Sequence, residues 1–319
     1  MFSYITRRLL IAVPVLLLVS FIVSGIIRLI PGDAAVARLA ETGGFTQEQL
    51  TKVRQEMGLD KPFVVQYGQW VWGVMTGHPG KSLQTGRPVL TELGRTLPVT
   101  IELAILALLV SLAVGIPIGI LSAIRQDGVL DYGGRVLSLA GLSLPEFWTA
   151  TAVLLALAFW LHWSPPLTYT ALWVDPRHNL AHLMLPASIL GFRYGAATMR
   201  MVRSAVLEVQ REDYVRTAWA KGLGERTVIS RHILKNAFIP VITLVGGQFG
   251  FLLGGAVILE LIFSLPGAGR LTLDSILRRD YTQVQVNVMF IAIITVLINL
   301  LVDVSYAWLD PRIRYGKSA

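Results

Sequence analysis

Six long apolar blocks run through this chain, and they constrain its fold more than any other feature. Each is long enough to cross roughly 30 Å of hydrocarbon, which takes about 20 helical residues. The blocks cover residues 9–30, 98–124, 136–163, 183–203, 237–263 and 284–308. A backbone inside a bilayer must satisfy its own hydrogen bonds, which favours helices. The sequence therefore predicts an all-α membrane protein with six transmembrane helices in one transmembrane domain, 1–319.

The composition supports the membrane class. Hydrophobic residues make up 54% of the chain and charged residues only 15%, which is too apolar for a soluble domain. The net charge of +8 does not indicate nucleic acid, because the basic residues lie between apolar blocks rather than along one face. Cysteine is absent, which excludes disulfides and thiolate chemistry. The first block is too long for a signal peptide, so we expect it to be a retained span.

The distribution of Lys and Arg over short loops predicts the orientation. One side of the membrane carries fifteen of them, in the start of the chain, loop 125–135, loop 200–236 and the tail. The other side carries four, in loops 164–182 and 264–283. Long loops cross regardless of charge, so residues 31–97 are not counted. Both termini and loop 200–236 are predicted to be cytoplasmic, and 31–97 extracytoplasmic.

The long segment 31–97 contains a helix signal. Thr46 and Gln49 have the spacing of a capping box, and Leu50 and Val53 follow on one helix face before Gly58. We therefore expect a short amphipathic helix in this extracytoplasmic segment.

The basic loop between the fourth and fifth spans has the pattern of a docking element. Apolar and small residues recur at helical spacing, at positions 214, 215, 218, 219 and 222. Gly222 and Gly224 then end the predicted helix, and a second helical pattern at 228, 229 and 233 leads into the fifth span. A short helix held at the membrane surface, with small residues on one face, is suited to docking into another protein.

Catalytic and cofactor motifs are missing from the sequence. The fragment Gly80-Lys81-Ser82 lacks the first glycine of a phosphate-binding loop, since that position is Met75. His178 and His182 have zinc-protease spacing, but Asn179 replaces the required glutamate, so we interpret them as two loop histidines. No Gly-x-Ser-x-Gly motif occurs either. We expect no catalytic residue, no metal and no cofactor in this chain.

Ionisable residues within the predicted spans are candidates for a translocation path, because an unpaired charge in hydrocarbon is costly. They are Glu102, Arg193, Glu260 and Asp303. Glu102 lies near the start of its predicted helix, where the positive helix end stabilises it, so a structural role is equally compatible. Arg193 lies in mid-span and is expected to face the bundle interior or a wet cavity.

A stripe of glycines marks the fifth span. Gly246, Gly250 and Gly254 recur at four-residue spacing, which lets another helix approach closely. Helix packing is the favoured interpretation, and a smooth wall of a translocation path is the alternative.

The chain resembles, over nearly its whole length, the integral-membrane permease subunits of ABC importers for dipeptides and oligopeptides. Several long motifs in the right order carry the likeness. They are Tyr4–Leu10, Arg28–Asp33, Gly58–Pro62, Thr85–Val89, Glu260–Arg270 and Trp308–Gly316.

The resemblance implies the type I ABC importer permease fold, with cytoplasmic coupling helices that sit in clefts of the ATPase subunits. The basic loop is similar to the family's EAA loop, with Gly222 at its characteristic glycine and Ala218 at its second alanine. Arg216 replaces the usual glutamate, and acidic residues precede the helix instead. The residues implied to couple to the ATPase are Glu212, Asp213, Tyr214, Ala218, Lys221 and Gly222. Those proposed for the path are Glu102, Arg193, Gly246, Gly250 and Gly254.

The resemblance also implies partners and a cargo. The partners are a second permease, two ATPase subunits that bind ATP and magnesium, an extracytoplasmic binding protein and the lipid bilayer of the cell or inner membrane. The cargo is a di- or oligopeptide, and a nickel chelate, a glutathione-like peptide or an oligosaccharide are alternatives. A membrane-embedded enzyme and a stand-alone secondary transporter are rivals from other classes, and either would work without an ATPase.

Overall fold

The structure is a computed structural model in which helices form almost all of the regular structure. It describes residues 2–29, 33–40, 44–166 and 168–309. Within these ranges the chain forms no strand, and Lys81 and Pro88 make an isolated bridge. The all-α prediction is therefore confirmed.

The helices follow one another with short connections. In chain order they are α1 (Phe2–Leu29), α2 (Ala34–Ala40), α3 (Gln47–Glu56), α4 (Phe63–Met75), α5 (Val89–Ile124), α6 (Val129–Ser143), α7 (Glu146–Leu161), α8 (Pro176–Gln210), α9 (Asp213–Ala220), α10 (Glu225–Thr227), a π-helical segment (Val228–Leu234), α11 (Lys235–Gly255), α12 (Val257–Ile262), α13 (Ala268–Leu277) and α14 (Tyr281–Leu309).

Four of the predicted spans coincide with helices long and apolar enough to cross a membrane. These stretches are Ile5–Leu29, Val89–Ile124, Glu225–Gly254 and Tyr281–Val302. The second begins about nine residues before the predicted start at 98. The helix thus extends into the segment predicted to be an external loop.

The third predicted span, 136–163, is not one straight helix. It contains α6 and α7, which meet at a bend of 104°. Leu144 is extended and Pro145 precedes α7 as its N-cap. A residue before proline is disfavoured in the helical region, so Ser143 is where α6 ends. The predicted span therefore corresponds to a bent pair of helices, and its crossing of the membrane as one span stays a prediction.

The fourth predicted span, 183–203, lies inside α8. This helix has 35 residues, enough to cross a bilayer, but it is less apolar than the four spans above. The described residues thus contain four candidate spans, or five if α6 and α7 count as one broken span. The total of six stays a prediction.

The helix contacts divide the chain into two compact units. The first comprises the described residues of Met1–Thr100 and Pro266–Leu297, and the second those of Ile101–Leu265 and Ile298–Ala319. In the first unit the predicted capping box at α3 is present, with Thr46 and Gln49 exchanging their hydrogen bonds.

A buried aspartate organises the first unit. The carboxylate of Asp280 accepts hydrogen bonds from the Ser82 hydroxyl and, at 3.0 Å, from the Leu83 amide. It also accepts one from the amide of Gln283, in the first turn of α14. Asp280 therefore ties the loop before α5 to the junction between α13 and α14.

Close backbone contact between α5 and α8 organises the second unit. A Cβ built at Gly115 would lie 2.7 Å from the Gly195 carbonyl oxygen, and one at Gly119 equally close to the Met199 carbonyl oxygen. A Cβ at Gly191 would clash with Val110. Small residues at four-residue spacing on both helices thus let the two backbones touch.

We expect Gly115→Ala to destabilise the protein. Alanine favours a helix over glycine by up to about 1 kcal/mol, but overpacking a tight contact costs about 1–3 kcal/mol. At Gly133, on an exposed face of α6, a Cβ meets open space, so Gly133→Ala gains helix propensity without a clash. The measurement is the thermal unfolding midpoint of each purified variant. A midpoint for Gly115→Ala equal to that of Gly133→Ala would contradict the contact.

Candidate functional site

The predicted docking helix is present as α9, and its buried side fixes it to the neighbouring helices. Val215 is fully buried and Ala218 nearly so. They belong to one apolar cluster with Val206 of α8 and with Val228 and Ile233 of the π-helical segment. Val228 and Ile233 are five residues apart, the spacing that a π-helix places on one side. The short helix therefore rests on a continuous apolar core.

The exposed side of α9 contains only part of the predicted face. Tyr214 is 41% exposed and Trp219 46% exposed. Because Val215 and Ala218 point into the core, the predicted single face at 214, 215, 218, 219 and 222 splits into an inner and an outer side. Ala218 accordingly packs against its own chain, and its role in coupling to the ATPase stays a prediction.

The hydroxyl of Tyr214 anchors the outer side. It donates a hydrogen bond to the carbonyl oxygen of His232 at 3.2 Å and accepts one from Asn236 Nδ2 at 2.6 Å. With its polar tip held in this way, the aromatic ring is the part of Tyr214 left for a partner.

Acidic residues begin α9. Glu212 is its exposed N-cap residue and makes no side-chain cap hydrogen bond. The carboxylate of Asp213 is 95% exposed and lies 3.4 Å from Arg216. A negative charge in the first helical turn is favourable, and an exposed pair of this kind contributes little else to stability. Both carboxylates are therefore accessible to a partner.

The turn after α9 depends on Gly222. Lys221 is the exposed C-cap residue, and Gly222 adopts a left-handed conformation with φ of +74°. Its amide donates to the Trp219 carbonyl oxygen at 2.9 Å. Only glycine adopts this conformation without strain, so the predicted helix end at Gly222 is confirmed.

Glu102 has a hydrogen-bond partner that the sequence did not indicate. Tyr169, in the loop before α8, donates to Glu102 Oε2 at 2.9 Å. Burial of the phenol and this bond raise the pKa of Tyr169 to about 12, so Tyr169 remains a donor at neutral pH. No described residue lies within hydrogen-bond distance of the buried Oε1 of Glu102.

Arg193 lies on an exposed surface of the chain, paired with an acidic residue. Its guanidinium is 3.6 Å from the carboxylate of Glu146, in the first turn of α7, and is 45% exposed. Glu260, another candidate, is fully buried in α12. The side chain of Asp303 lies outside the described residues.

The glycines of the stripe on α11 become progressively more exposed along the helix. Gly246 is buried, and a Cβ there would clash with Val302 of α14. Gly250 is partly buried. Gly254 is exposed, and a Cβ there would meet open space. Close packing therefore accounts for Gly246 but not for Gly254.

The two histidines are on a helix rather than in a loop, because Asp175 caps α8 at its N-terminus. The buried His182 Nε2 is 3.0 Å from the carbonyl oxygen of Phe263, and His178 Nε2 is 2.9 Å from that of Thr168. Each ring thus has its own backbone partner, and the two serve the structure separately.

An ionic cluster around Asp131 was missed by the sequence reasoning. Asp131 is fully buried in α6, and Arg203 of α8 donates to its two oxygens at 2.6 and 2.9 Å. Arg135 and the Ser122 hydroxyl also donate to it. The spacing of Asp131 and Arg135, four residues apart on one helix, was the available signal.

Comparison with known proteins assigns the chain to a family. Residues 115–315 match the family described as binding-protein-dependent transport system inner membrane component. Residues 1–104 match the N-terminal family of the same membrane components. The chain belongs to this family. It is thus a transport permease of the inner membrane.

Curated relatives share its full length. A dipeptide transport system permease protein DppB of Alkalihalophilus pseudofirmus is 40% identical, with 99% of this chain and 100% of the relative covered. The protein of that name from Escherichia coli K12 is 38% identical with the same coverage.

Solved structures share the permease fold. A chain of the MetNI methionine ABC transporter, in an inward-facing conformation, superposes with a TM-score of 0.56 at 14% identity and covers 70% of this chain and 98% of that one. An amino acid ABC transporter gives a TM-score of 0.50 at 16% identity, covering 68% and 93%. The predicted type I ABC importer permease fold is confirmed.

Proposed function

We propose that this chain is one of two permease subunits of an ATP-driven importer of di- and oligopeptides. In this proposal both termini and α9 face the cytoplasm. Two ATPase subunits bind and hydrolyse ATP with magnesium, and a binding protein delivers the peptide from outside. The permease itself performs no covalent chemistry.

The observation that best supports the proposal is the packing of α9 against its neighbouring helices. Its inner residues share one apolar cluster with α8 and with the π-helical segment that continues into α11. Because protein interiors are close-packed, any movement of α9 also shifts the helices packed against it. A force applied to Tyr214 and Trp219 by a closing ATPase pair would thus reach the spans, and rigid helices would rock between two states.

The peptide cargo is supported by the relatives. Permeases identical at 38–40% of positions over the full length carry the name of dipeptide transport systems. The N-terminal segment of this chain also matches the N-terminal family of these membrane components, at residues 1–104.

The contact with the binding protein is proposed for the first unit. The segment 31–97 and the loop 264–283 were each predicted to be external, and Asp280 connects the two. A joined surface of this kind is a stable platform for a soluble partner.

The path is proposed to run along the surface that carries Arg193. A charged pair exposed on a predicted span needs water or a second subunit beside it. A peptide zwitterion offers an ammonium group to Glu102 or Glu146 and a carboxylate to Arg193. Gly254, whose exposed side is open, leaves room for such a cargo on α11.

The test is purification and reconstitution of the complex. A tagged copy extracted gently from its native membrane should bring a second permease and ATPase subunits, identified by mass spectrometry. In proteoliposomes with the binding protein, uptake of a labelled dipeptide should require ATP and stop with a hydrolysis-deficient ATPase. Uptake by this chain in the absence of an ATPase would overturn the proposal. Uptake of a nickel chelate or an oligosaccharide in place of the peptide would overturn the cargo.

A further inference from the structure

A cavity beside the Asp131 cluster has no role in the transport cycle described above. It has a volume of about 480 Å³ and lies between α6 and α8, within the second unit. Three arginines line it, Arg135, Arg200 and Arg203, and the apolar side chains of Leu139 and Leu142 form part of its wall. The lining of the cavity therefore combines basic and apolar side chains.

The positive charge of the cavity exceeds the negative charge behind it. Arg135 and Arg203 both bind Asp131, and Arg135 also pairs with Asp127 at 2.9 Å. Arg200 is exposed, and it forms no ion pair with any residue in the described part of the chain. An arginine that needs no partner inside the protein is free to bind an anion from outside, and its planar fork suits a phosphate.

The apolar wall opens on a surface suited to acyl chains. Leu139 is 67% exposed, and Val136, one turn before, is equally exposed. This face of α6 is apolar and uncovered within the chain, as expected of a helix side that meets lipid. The ligand must therefore combine an anionic headgroup with a hydrocarbon tail.

The predicted depth of the arginines in the membrane agrees with such a ligand. Arg135 immediately precedes the predicted span at 136, and Arg200 lies at the end of the one at 183–203. Both are thus predicted to lie at the level of the headgroups, on the side that carries most of the chain's Lys and Arg. Basic pockets between helices on the cytoplasmic side are suited to anionic lipids. We propose that the cavity binds one anionic phospholipid, with its phosphate at Arg200 and Arg203 and an acyl chain along Leu139 and Leu142.

The experiment measures lipid binding to the purified full importer by native mass spectrometry. Phosphatidylglycerol is titrated against phosphatidylcholine with identical acyl chains, and glycerol phosphate serves as the headgroup without a tail. The test variant is Arg200→Gln, and the control is Arg125→Gln. Arg125 is exposed, lies in a loop predicted to be on the same side of the membrane, and does not line the cavity.

We expect one tightly bound phosphatidylglycerol per copy of this chain, weakened about tenfold by Arg200→Gln, the effect of losing one charge-assisted hydrogen bond. Arg125→Gln should leave this binding unchanged. Equal weakening by both variants would mean general electrostatic attraction and would overturn the site. Equal binding of phosphatidylcholine, or of glycerol phosphate, would likewise overturn the proposal of an anionic phospholipid. The readout needs no peptide transport, so it is independent of the proposed cargo.

Discussion

Replacing Asp131 with alanine is expected to destabilise the protein by about 3 kcal/mol. The substitution removes a fully buried carboxylate and leaves the guanidinium of Arg203 beside it without its partner. Removing one member of a buried ion pair costs about 3–5 kcal/mol. The lower end of that range applies, since Arg203 is 21% exposed and water can reach it.

A matched control is available four residues earlier. Asp127 also pairs with Arg135, but its side chain is 63% exposed. An exposed pair contributes at most about 1 kcal/mol. Asp127 has a left-handed backbone with φ of +60°, which asparagine also tolerates, so Asp127→Asn removes the charge with a small effect. The measurement is the thermal unfolding midpoint of the purified complex, followed by loss of the monodisperse peak in size-exclusion chromatography. Similar midpoints for Asp131→Ala and Asp127→Asn would contradict a structural role for the buried network.

The sequence predicted the apolar spans well, because hydropathy is a local property. Four spans, the capping box at Thr46 and the turn at Gly222 were all confirmed. The break at Pro145 was also readable, since proline restricts the residue before it. It was missed because the total apolar length of 136–163 suited a single span.

Contacts between distant segments were not readable in the same way. The glycine stripe singled out at Gly246 proved to be one of several. Contact with a neighbouring backbone occurs between α5 and α8 at Gly115 and Gly195, which are 80 residues apart in the chain. Four-residue spacing of small residues was visible on both helices, but which helices would meet depends on tertiary packing.

The docking helix α9 could likewise be predicted only in part from the sequence. Periodicity predicted its position and its apolar residues correctly. It could not distinguish the side that packs inward, at Val215 and Ala218, from the side left to a partner, at Tyr214 and Trp219. Every small or apolar residue was therefore assigned to one docking face. The distinction depends on a cluster with Val206 and Ile233, which only the folded chain brings together.

The last prediction concerns the turn that holds this helix in place. Gly222→Val is expected to reduce ATP-driven uptake at least about tenfold. A left-handed backbone costs an ordinary side chain about 1–2 kcal/mol, and a β-branched one is a genuine outlier there. Since the positive φ of Gly222 directly follows Lys221, relief of this strain would rotate the end of α9. Trp219 would then leave the position in which a partner meets it.

Two further variants separate backbone strain from side-chain size. Asparagine tolerates the left-handed region, so Gly222→Asn should retain most of the uptake. Gly224 has φ of −62° and open space around it, so Gly224→Val adds the same side chain without strain. The measurement is uptake together with ATPase activity of the reconstituted importer. Gly222→Val should lose stimulation of the ATPase by loaded binding protein, whereas Gly224→Val should keep it.

Neither position has a neighbour within 4 Å that a Cβ would meet. A loss of uptake in both valine variants would therefore mean that a partner occupies this space and that the effect does not depend on the backbone. Full activity of Gly222→Val would remove the turn from the coupling mechanism altogether.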